Sequence, residues 1–229
     1  MAKRESLAIV LERGDKRVFA IARDWPGWSR SGKGDDEAIA ALLAYAPRYR
    51  DVLRGAKVSP LPPGTDAAPE VVERHAGGSG TDYGVPGVPA TNDGKPLTGA
   101  ELRRHRAILQ AAWKTFDAAA RTAKGKTLSV GPRGGGRTLA KMVGHVLEAE
   151  VAYLGQLGSR HAKPAAGADE MALVRREALA TLDAVVAGER PPNPRNTQKP
   201  WTPRYFVRRS AWHALDHAWE LEDRTPGRR

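Results

Sequence analysis

The sequence contains no cysteine and no long apolar run. The first absence excludes disulfides, thiolate metal ligands and a cysteine nucleophile, so protein ligands for a metal ion must be His, Asp or Glu. The second absence excludes a membrane-spanning helix. The charged start, residues 1–6, is not followed by an apolar stretch, so we predict a cytoplasmic protein without a signal peptide.

Positive charge is in excess, with 37 Lys and Arg against 26 Asp and Glu and a net charge of +11. A basic protein can bind nucleic acid or another anionic partner. The alternative is a solvated, Arg-rich surface. We favour that alternative because the sequence has no recognition motif and no basic stretch interleaved with aromatic residues, so we do not expect a nucleic-acid partner.

Composition divides the chain into residues 1–58, a connector over 59–96, and residues 97–229. Two β-prone runs flank a turn at the start of the chain and predict a β-hairpin. A loop punctuated by Pro and Gly follows, and Asp35 and Asp36 are expected to cap a helix that bends at Pro47. The connector looks irregular apart from a possible third strand at residues 71–75.

Four segments of the last part carry apolar residues at helical spacing. The first begins at Thr98, where Glu101 completes a capping box. The others begin after Thr138, near Asp169 and at Thr202, and Thr138 and Thr202 are favourable N-cap residues. Amphipathic helices of this length bury their apolar faces by packing together. The predicted fold class is therefore α+β, a hairpin and helix followed by an antiparallel four-helix bundle.

Three histidines are the candidate metal ligands. His213 and His217 lie four residues apart on the inward face of the last helix, so their rings can reach one point in space. His145 lies at the edge of the apolar stripe of the second helix and can face them. This pattern predicts one metal ion with an open coordination position. The alternative is a pair of hydrogen-bonded core histidines, and spacing alone gives the two interpretations about equal weight.

Two carboxylates border the histidine face and are the candidate catalytic residues. Asp216 or Glu220 can orient a ligating ring or act as a general base. The alternative is a solvent-facing ion pair of Asp216 with Arg209. Glu150 falls within the apolar stripe of the second helix and needs a partner, for which Arg208, Arg209 or a tyrosine is the candidate. We predict a structural role for it.

The remaining histidines and a glycine-rich loop carry weaker signals. His75 and His161 lie in polar, loop-like stretches and are predicted to be solvated. His105 lies near the apolar stripe of the first helix and is predicted to be a partly buried structural residue. Residues 131–137 are interpreted as a flexible connector, with anion binding at the following helix start as the alternative.

Taken together, residues of about 97–224 resemble the DinB/YfiT-like superfamily of four-helix bundles. The resemblance lies in the helix order, in His145 early in the second helix, and in the His-x-x-x-His pair of His213 and His217. It implies a divalent ion held by these three side chains. Several members are thiol S-transferases that use low-molecular-weight thiols, and one group includes mycothiol-dependent maleylpyruvate isomerases. A small thiol is thus the implied cosubstrate.

The first part resembles the HicB-like antitoxin domain. The matching features are the hairpin, the Trp-Pro-Gly-Trp-Ser-Arg-Ser-Gly stretch at residues 25–32, and Asp36-Glu37-Ala38 at a helix start. The resemblance implies a toxin partner and a DNA-binding tail. Because the helical part stands in the place of that tail, we interpret residues 1–58 as a small HicB-like fold that does not act as an antitoxin.

We therefore predict a divalent-metal-dependent enzyme with a small-molecule substrate. The metal, Zn²⁺, Ni²⁺ or Fe²⁺, would lower the pKa of a thiol or water, and thiol S-transfer is expected ahead of hydrolysis or isomerisation. A homodimer is possible. The alternative is a non-catalytic regulatory or interaction protein whose HicB-like part binds a partner.

Overall fold

A four-stranded sheet followed by a helical region gives the chain an α+β fold in a computed structural model. The structure describes residues 5–131, 136–189 and 200–227. No helix within these ranges combines the length and the apolar character needed to cross a membrane. The strands, in chain order, are β1 (Ser6–Arg13), β2 (Val18–Ala22), β3 (Ser29–Gly32) and β4 (Ala68–Ala76).

The sheet has the strand order β3-β2-β1-β4. The predicted hairpin is confirmed, with β1 antiparallel to β2, and β4 pairs parallel to β1. Strand β2 is buried at every residue, so its continuous apolar run reflects a central strand covered on both faces. The predicted strand at residues 71–75 is also confirmed, as part of the longer β4.

Strand β3 falls where the sequence predicted a loop. Its four residues, Ser-Arg-Ser-Gly, have no apolar alternation, and the strand exists because its backbone pairs with β2. Gly27 precedes it with a φ of +92°, a backbone conformation that favours glycine. A Cβ on this residue would lie 3.0 Å from the Cβ of Ala211, so Gly27 also permits close approach of the loop to the last helix.

Two short helices follow the third strand, α1 (Asp35–Ala44) and α2 (Ala46–Gly55). The predicted break near Pro47 is confirmed. The capping prediction is wrong, because the N-cap residue is Gly34, and Asp35 and Asp36 lie inside the first turn. Their negative charge there is favourable beside the positive end of the helix dipole.

The connector is more ordered than its composition indicated. It contains the helix α3 (Ser79–Tyr83) and a 3₁₀ turn (Thr91–Gly94). Glu12, a buried residue of β1, holds this segment against the sheet. Its carboxylate accepts hydrogen bonds from the Thr81 hydroxyl at 2.6 Å and from the backbone N–H groups of Gly87 and Val88 at 3.0 and 2.9 Å. No local pattern reveals this contact, since the partners are about 70 residues away in sequence.

Four long helices complete the fold, and each contacts the three others. The predicted N-caps at Thr98, Thr138 and Thr202 are confirmed, and Asp169 caps the remaining helix, because each of these side chains accepts a backbone N–H of the first turn. One apolar core runs from the sheet into these helices. The helices are α4 (Gly99–Ala123), α5 (Leu139–Leu157), α6 (Glu170–Val186) and α7 (Pro203–Arg224).

Candidate metal centre

The three predicted histidines converge at the contact between α5 and α7. One ligand atom from each of His145, His213 and His217 lies within 4.8 Å of the other two. The Nε2 atoms of His145 and His213 are 3.3 Å apart. His213 and His217 are buried and His145 is half-buried, so His145 is the most exposed of the three. The structure thus brings together side chains that are 68 residues apart in sequence.

The donor set and its spacing suit a divalent ion. Two nitrogens at about 2.0–2.1 Å from a tetrahedral zinc ion lie roughly 3.3 Å apart, which is the Nε2 separation of His145 and His213. Imidazole is also a preferred ligand of nickel and iron. In addition, Nδ1 of His213 is buried and has no hydrogen-bond partner among the described residues. A ring held only by apolar packing and by other imidazoles is not a satisfied core histidine.

The environment favours the neutral rings that metal binding requires. Burial, followed by the electrostatic interactions with His217 and Arg209, lowers the pKa of His213 well below 6.5. Burial also lowers the pKa of His145, helped by His217 and Arg137. Both rings are therefore uncharged at neutral pH, with a lone pair available to a cation.

Glu220 orients one ring of the cluster. Its Oε2 lies 3.2 Å from Nδ1 of His217, and its Oε1 accepts a hydrogen bond from Nη1 of Arg224 at 2.9 Å. Burial would raise the pKa of Glu220, but the contacts with His217 and Arg224 outweigh it and the pKa is lowered. An ionised carboxylate at Nδ1 leaves Nε2 of His217 available to a metal.

Arg224 completes this chain of contacts, and the sequence analysis missed it. The residue is buried, and its guanidinium also donates to the backbone carbonyls of Ser129 and Arg137 at 2.9 and 3.0 Å. It thereby fixes Glu220 from behind. The spacing of Glu220 and Arg224 could have revealed the contact, because a Glu four residues before an Arg on a helix places the two side chains side by side.

Asp216 is engaged elsewhere. Its Oδ1 accepts a hydrogen bond from Arg30 of β3 at 2.9 Å, so the predicted ion pair with Arg209 is wrong. Arg30 also lies 3.9 Å above the ring of Tyr45. The partner of Asp216 comes from another part of the chain, where helical spacing carries no information.

Aromatic rings and a buried cation form one side of the histidine cluster. The ring centroid of Tyr153 lies 5.6 Å from that of His213, with the two planes nearly perpendicular. Tyr153 also contacts Trp201, at 5.1 Å between centroids. The guanidinium of Arg209 lies 5.3 Å from the Tyr153 ring and 4.6 Å from that of Trp212. A ligand at the histidines would thus lie beside a largely apolar wall.

The partner of Glu150 differs from each of those predicted. Its carboxylate accepts two hydrogen bonds from Arg175 of α6, at 3.0 and 3.1 Å. Arg175 also donates to Asp117 of α4, at 2.8 and 2.9 Å. The predicted structural role of Glu150 is consistent with this contact, since the three residues connect three helices.

The other histidines lie apart from the cluster. His105 is buried, as predicted, with Nδ1 2.8 Å from the carbonyl oxygen of Glu101. His75 is half-buried beside Glu73. The prediction for His161 is wrong, because its side chain is only 4% exposed and lies between Glu170 and Glu177. The flanking loop supplies a buried position that its polar composition does not indicate. Residues 132–135 of the glycine-rich loop lie outside the described residues.

Comparison with known proteins shows that the helical part is similar to the DinB superfamily. Residues 108–221 match the family model of the DinB superfamily, whose members are typically metal-binding. This range includes all three histidines of the cluster. No match of significance is found among curated proteins or solved structures. The HicB-like interpretation of the first part receives no support from these comparisons and stays a prediction.

Proposed function

We propose that the chain is a divalent-metal-dependent enzyme, with His145, His213 and His217 as ligands in a DinB-type four-helix bundle. The observation that carries this proposal is the convergence of three imidazole nitrogens, from two helices, within 4.8 Å. The matching family model supports it, since it covers these residues. Three protein ligands leave a coordination position open, as is typical of catalytic rather than structural sites.

The protein residues prepare the site for chemistry at that open position. A bound divalent ion would act as a Lewis acid and lower the pKa of a thiol or a water molecule. Glu220, held by Arg224, orients His217, so it is a positioning residue. Asp216 stays the proposed proton acceptor, because its carboxylate is 29% exposed and, among the described residues, forms an ion pair with Arg30 alone.

We propose thiol S-transfer as the reaction, with hydrolysis or isomerisation of a small molecule next. The chain has no cysteine, so the thiol would come from a small molecule. The aromatic wall of Tyr153 and Trp201 beside His213 favours an organic ligand. The proposed metal is Zn²⁺, Ni²⁺ or Fe²⁺, all of which accept imidazole ligands.

Metal content tests the first part of the proposal. We expect about one divalent ion per chain in the wild type and close to none in the double variant His213→Ala/His217→Ala, measured by elemental analysis after dialysis. The variant His75→Ala removes a histidine outside the cluster and should retain the wild-type content. Equal metal in the wild type and the double variant would refute the proposal.

A cobalt-substituted protein tests the choice of reaction. Addition of 2-mercaptoethanol should produce a sulfur-to-cobalt charge-transfer band in the near ultraviolet, whereas ethylene glycol should not. The band should be absent from the His213→Ala/His217→Ala variant. If the spectrum does not respond to the thiol, thiol transfer is excluded and hydrolysis or isomerisation takes its place.

A further inference from the structure

A small cavity lies where the sheet and the connector meet α7. It has about 300 Å³ of empty space, its mouth included, and its interior accommodates about one water-sized species. None of the three clustered histidines lines it. The residues that matter for its chemistry come from β3 and α7, and they are Ser29, Tyr205, Arg208, Arg209 and Trp212.

Four of these side chains bring buried polar atoms that have no hydrogen-bond partner among the described residues. They share the capacity to donate a hydrogen bond, and they are Ser29 Oγ, Arg208 Nη1, Arg209 Nη1 and Trp212 Nε1. All four residues are at most 8% exposed. Buried donors are nearly always paired, so four unpaired donors on residues that line one cavity indicate a ligand that accepts hydrogen bonds.

The two arginines of the cavity differ in their charge balance. Arg208 is neutralised, because its Nε and Nη2 donate to the buried carboxylate of Asp93 at 2.8–3.0 Å. Arg209 forms no ion pair with any carboxylate within residues 5–131, 136–189 and 200–227. Its guanidinium lies 5.3 Å from the ring of Tyr153 and 4.6 Å from the ring of Trp212. A buried, uncompensated cation is costly, and an anion in the cavity would supply the missing charge.

We propose that this cavity binds a small monovalent anion, either a halide ion or a carboxylate group. Arg209 provides the opposite charge, and Arg208 Nη1, Trp212 Nε1 and Ser29 Oγ donate hydrogen bonds. Three of these four groups can only donate, a set that suits an anion better than water, which also needs acceptors. The inference does not rest on the metal site, since it uses none of the metal ligands.

Thermal unfolding of the full chain, freed of metal by a chelator that is then dialysed away, tests the proposal. The sodium salt of HEPES, a bulky sulfonate without a carboxylate group, is replaced stepwise by chloride or formate at constant ionic strength. We expect a saturable rise in Tm of roughly 5 °C, as a ligand at about 100 times its Kd would produce in a chain of this size. A Tm that does not respond to either anion would overturn the proposal.

Matched variants locate the site. Arg209→Met should abolish the anion-dependent rise, whereas Arg176→Met, which removes an exposed positive charge from α6, should retain it. The same rise in Arg209→Met and in the wild type would show a general salt effect and refute the proposal. Trp212→Phe keeps an aromatic ring but loses the donor, so the apparent Kd should rise at least several-fold.

Trp212→Phe decides the question if Arg209→Met does not fold, since an unchanged Kd would contradict the assigned cavity. The two anions distinguish the sources of the ligand. Saturation by chloride alone supports an inorganic ion, and tighter binding of formate supports the carboxylate of a larger molecule. Both outcomes require the donors named above. Neither depends on whether the protein binds a metal, so the anion proposal and the metal proposal can fail separately.

Discussion

Two of the buried polar clusters in the helical region differ in whether their members satisfy one another. In the cluster of Arg175, Glu150 and Asp117, one cation lies between two carboxylates at 2.8–3.1 Å. In the histidine cluster, three basic rings face each other, with ring centroids 4.6–5.1 Å apart. The first cluster pairs donors with acceptors, whereas the second brings nitrogen atoms of three imidazoles within 4.8 Å of one another.

This difference separates structural from functional burial. A buried charged group that is fully hydrogen-bonded holds its helices in place. It has no free donor or acceptor left to bind a ligand. Neutral imidazoles that have no acid between them keep unshared lone pairs, and a metal cation can bind to these. Both clusters begin as polar residues inside apolar stripes of α5. The residues that they meet on the neighbouring helices decide whether these polar residues become structural or metal-binding. Their position in an apolar stripe does not decide it.

The largest expected effect comes from breaking the satisfied cluster. Arg175→Met leaves Glu150 buried without a partner and should lower the free energy of unfolding by about 3–5 kcal/mol. Urea denaturation followed by circular dichroism measures it. Arg176→Met, at the next and exposed position, should change stability by less than about 0.5 kcal/mol. A loss below about 1 kcal/mol in Arg175→Met would show that the cluster is not a structural contact of this kind.

His105 is a buried histidine outside both clusters and gives a pH-dependent contrast. Burial lowers its pKa to about 4, against about 6.5 when unfolded. Between these values the unfolded chain binds more protons, so stability falls as the pH decreases from about 6.5 to 4. The contribution of His105 to this fall should be about 3 kcal/mol in all.

The variant His105→Gln isolates that contribution. Its free energy of unfolding should depend less steeply on pH than that of the wild type over the same window, measured by urea denaturation at several pH values. His75→Gln, which removes a half-buried histidine, is the control and should follow the wild-type curve more closely. Identical slopes in His105→Gln and the wild type would disprove the role of this ring.

A smaller effect is expected at the residue that orients the metal ligand. Glu220→Gln removes the negative charge next to Nδ1 of His217 and should weaken metal binding 10–100-fold, or about 1.4–2.7 kcal/mol. Competition with a chromophoric chelator measures the affinity. If Glu220→Gln binds metal as tightly as the wild type, the carboxylate does not support the site.

What the sequence could predict depends on how local the signal is. The caps at Thr98 and Thr202 lie within one turn of the groups they bind, and the spacing of His213 and His217 lies within one helix, so these features were predictable. That His145 can face them followed from its place at the edge of an apolar stripe and from the expected packing of the helices, and the family resemblance added to it.

The missed features all depend on contacts between distant segments. Arg30 reaches Asp216 across 186 residues, and Arg175 reaches Asp117 across 58. Strand β3 needs only backbone pairing with β2, which no apolar pattern reveals. The anion cavity is of the same kind, because Ser29 and Arg209 come together only when the sheet packs on α7. Such contacts are set by tertiary packing. The spacing of apolar residues in a single sequence does not reveal them.

The smallest expected effect is at Asp216, and it completes the contrast with Glu220. Asp216 lies on the same helix but pairs with Arg30 in a partly exposed ion pair. Asp216→Asn should therefore change stability by less than about 1 kcal/mol and leave metal affinity at the wild-type value. If Asp216 is the proton acceptor, turnover should fall while metal content stays constant. Weaker metal binding in Asp216→Asn would instead place this carboxylate, like Glu220, behind a ligating ring.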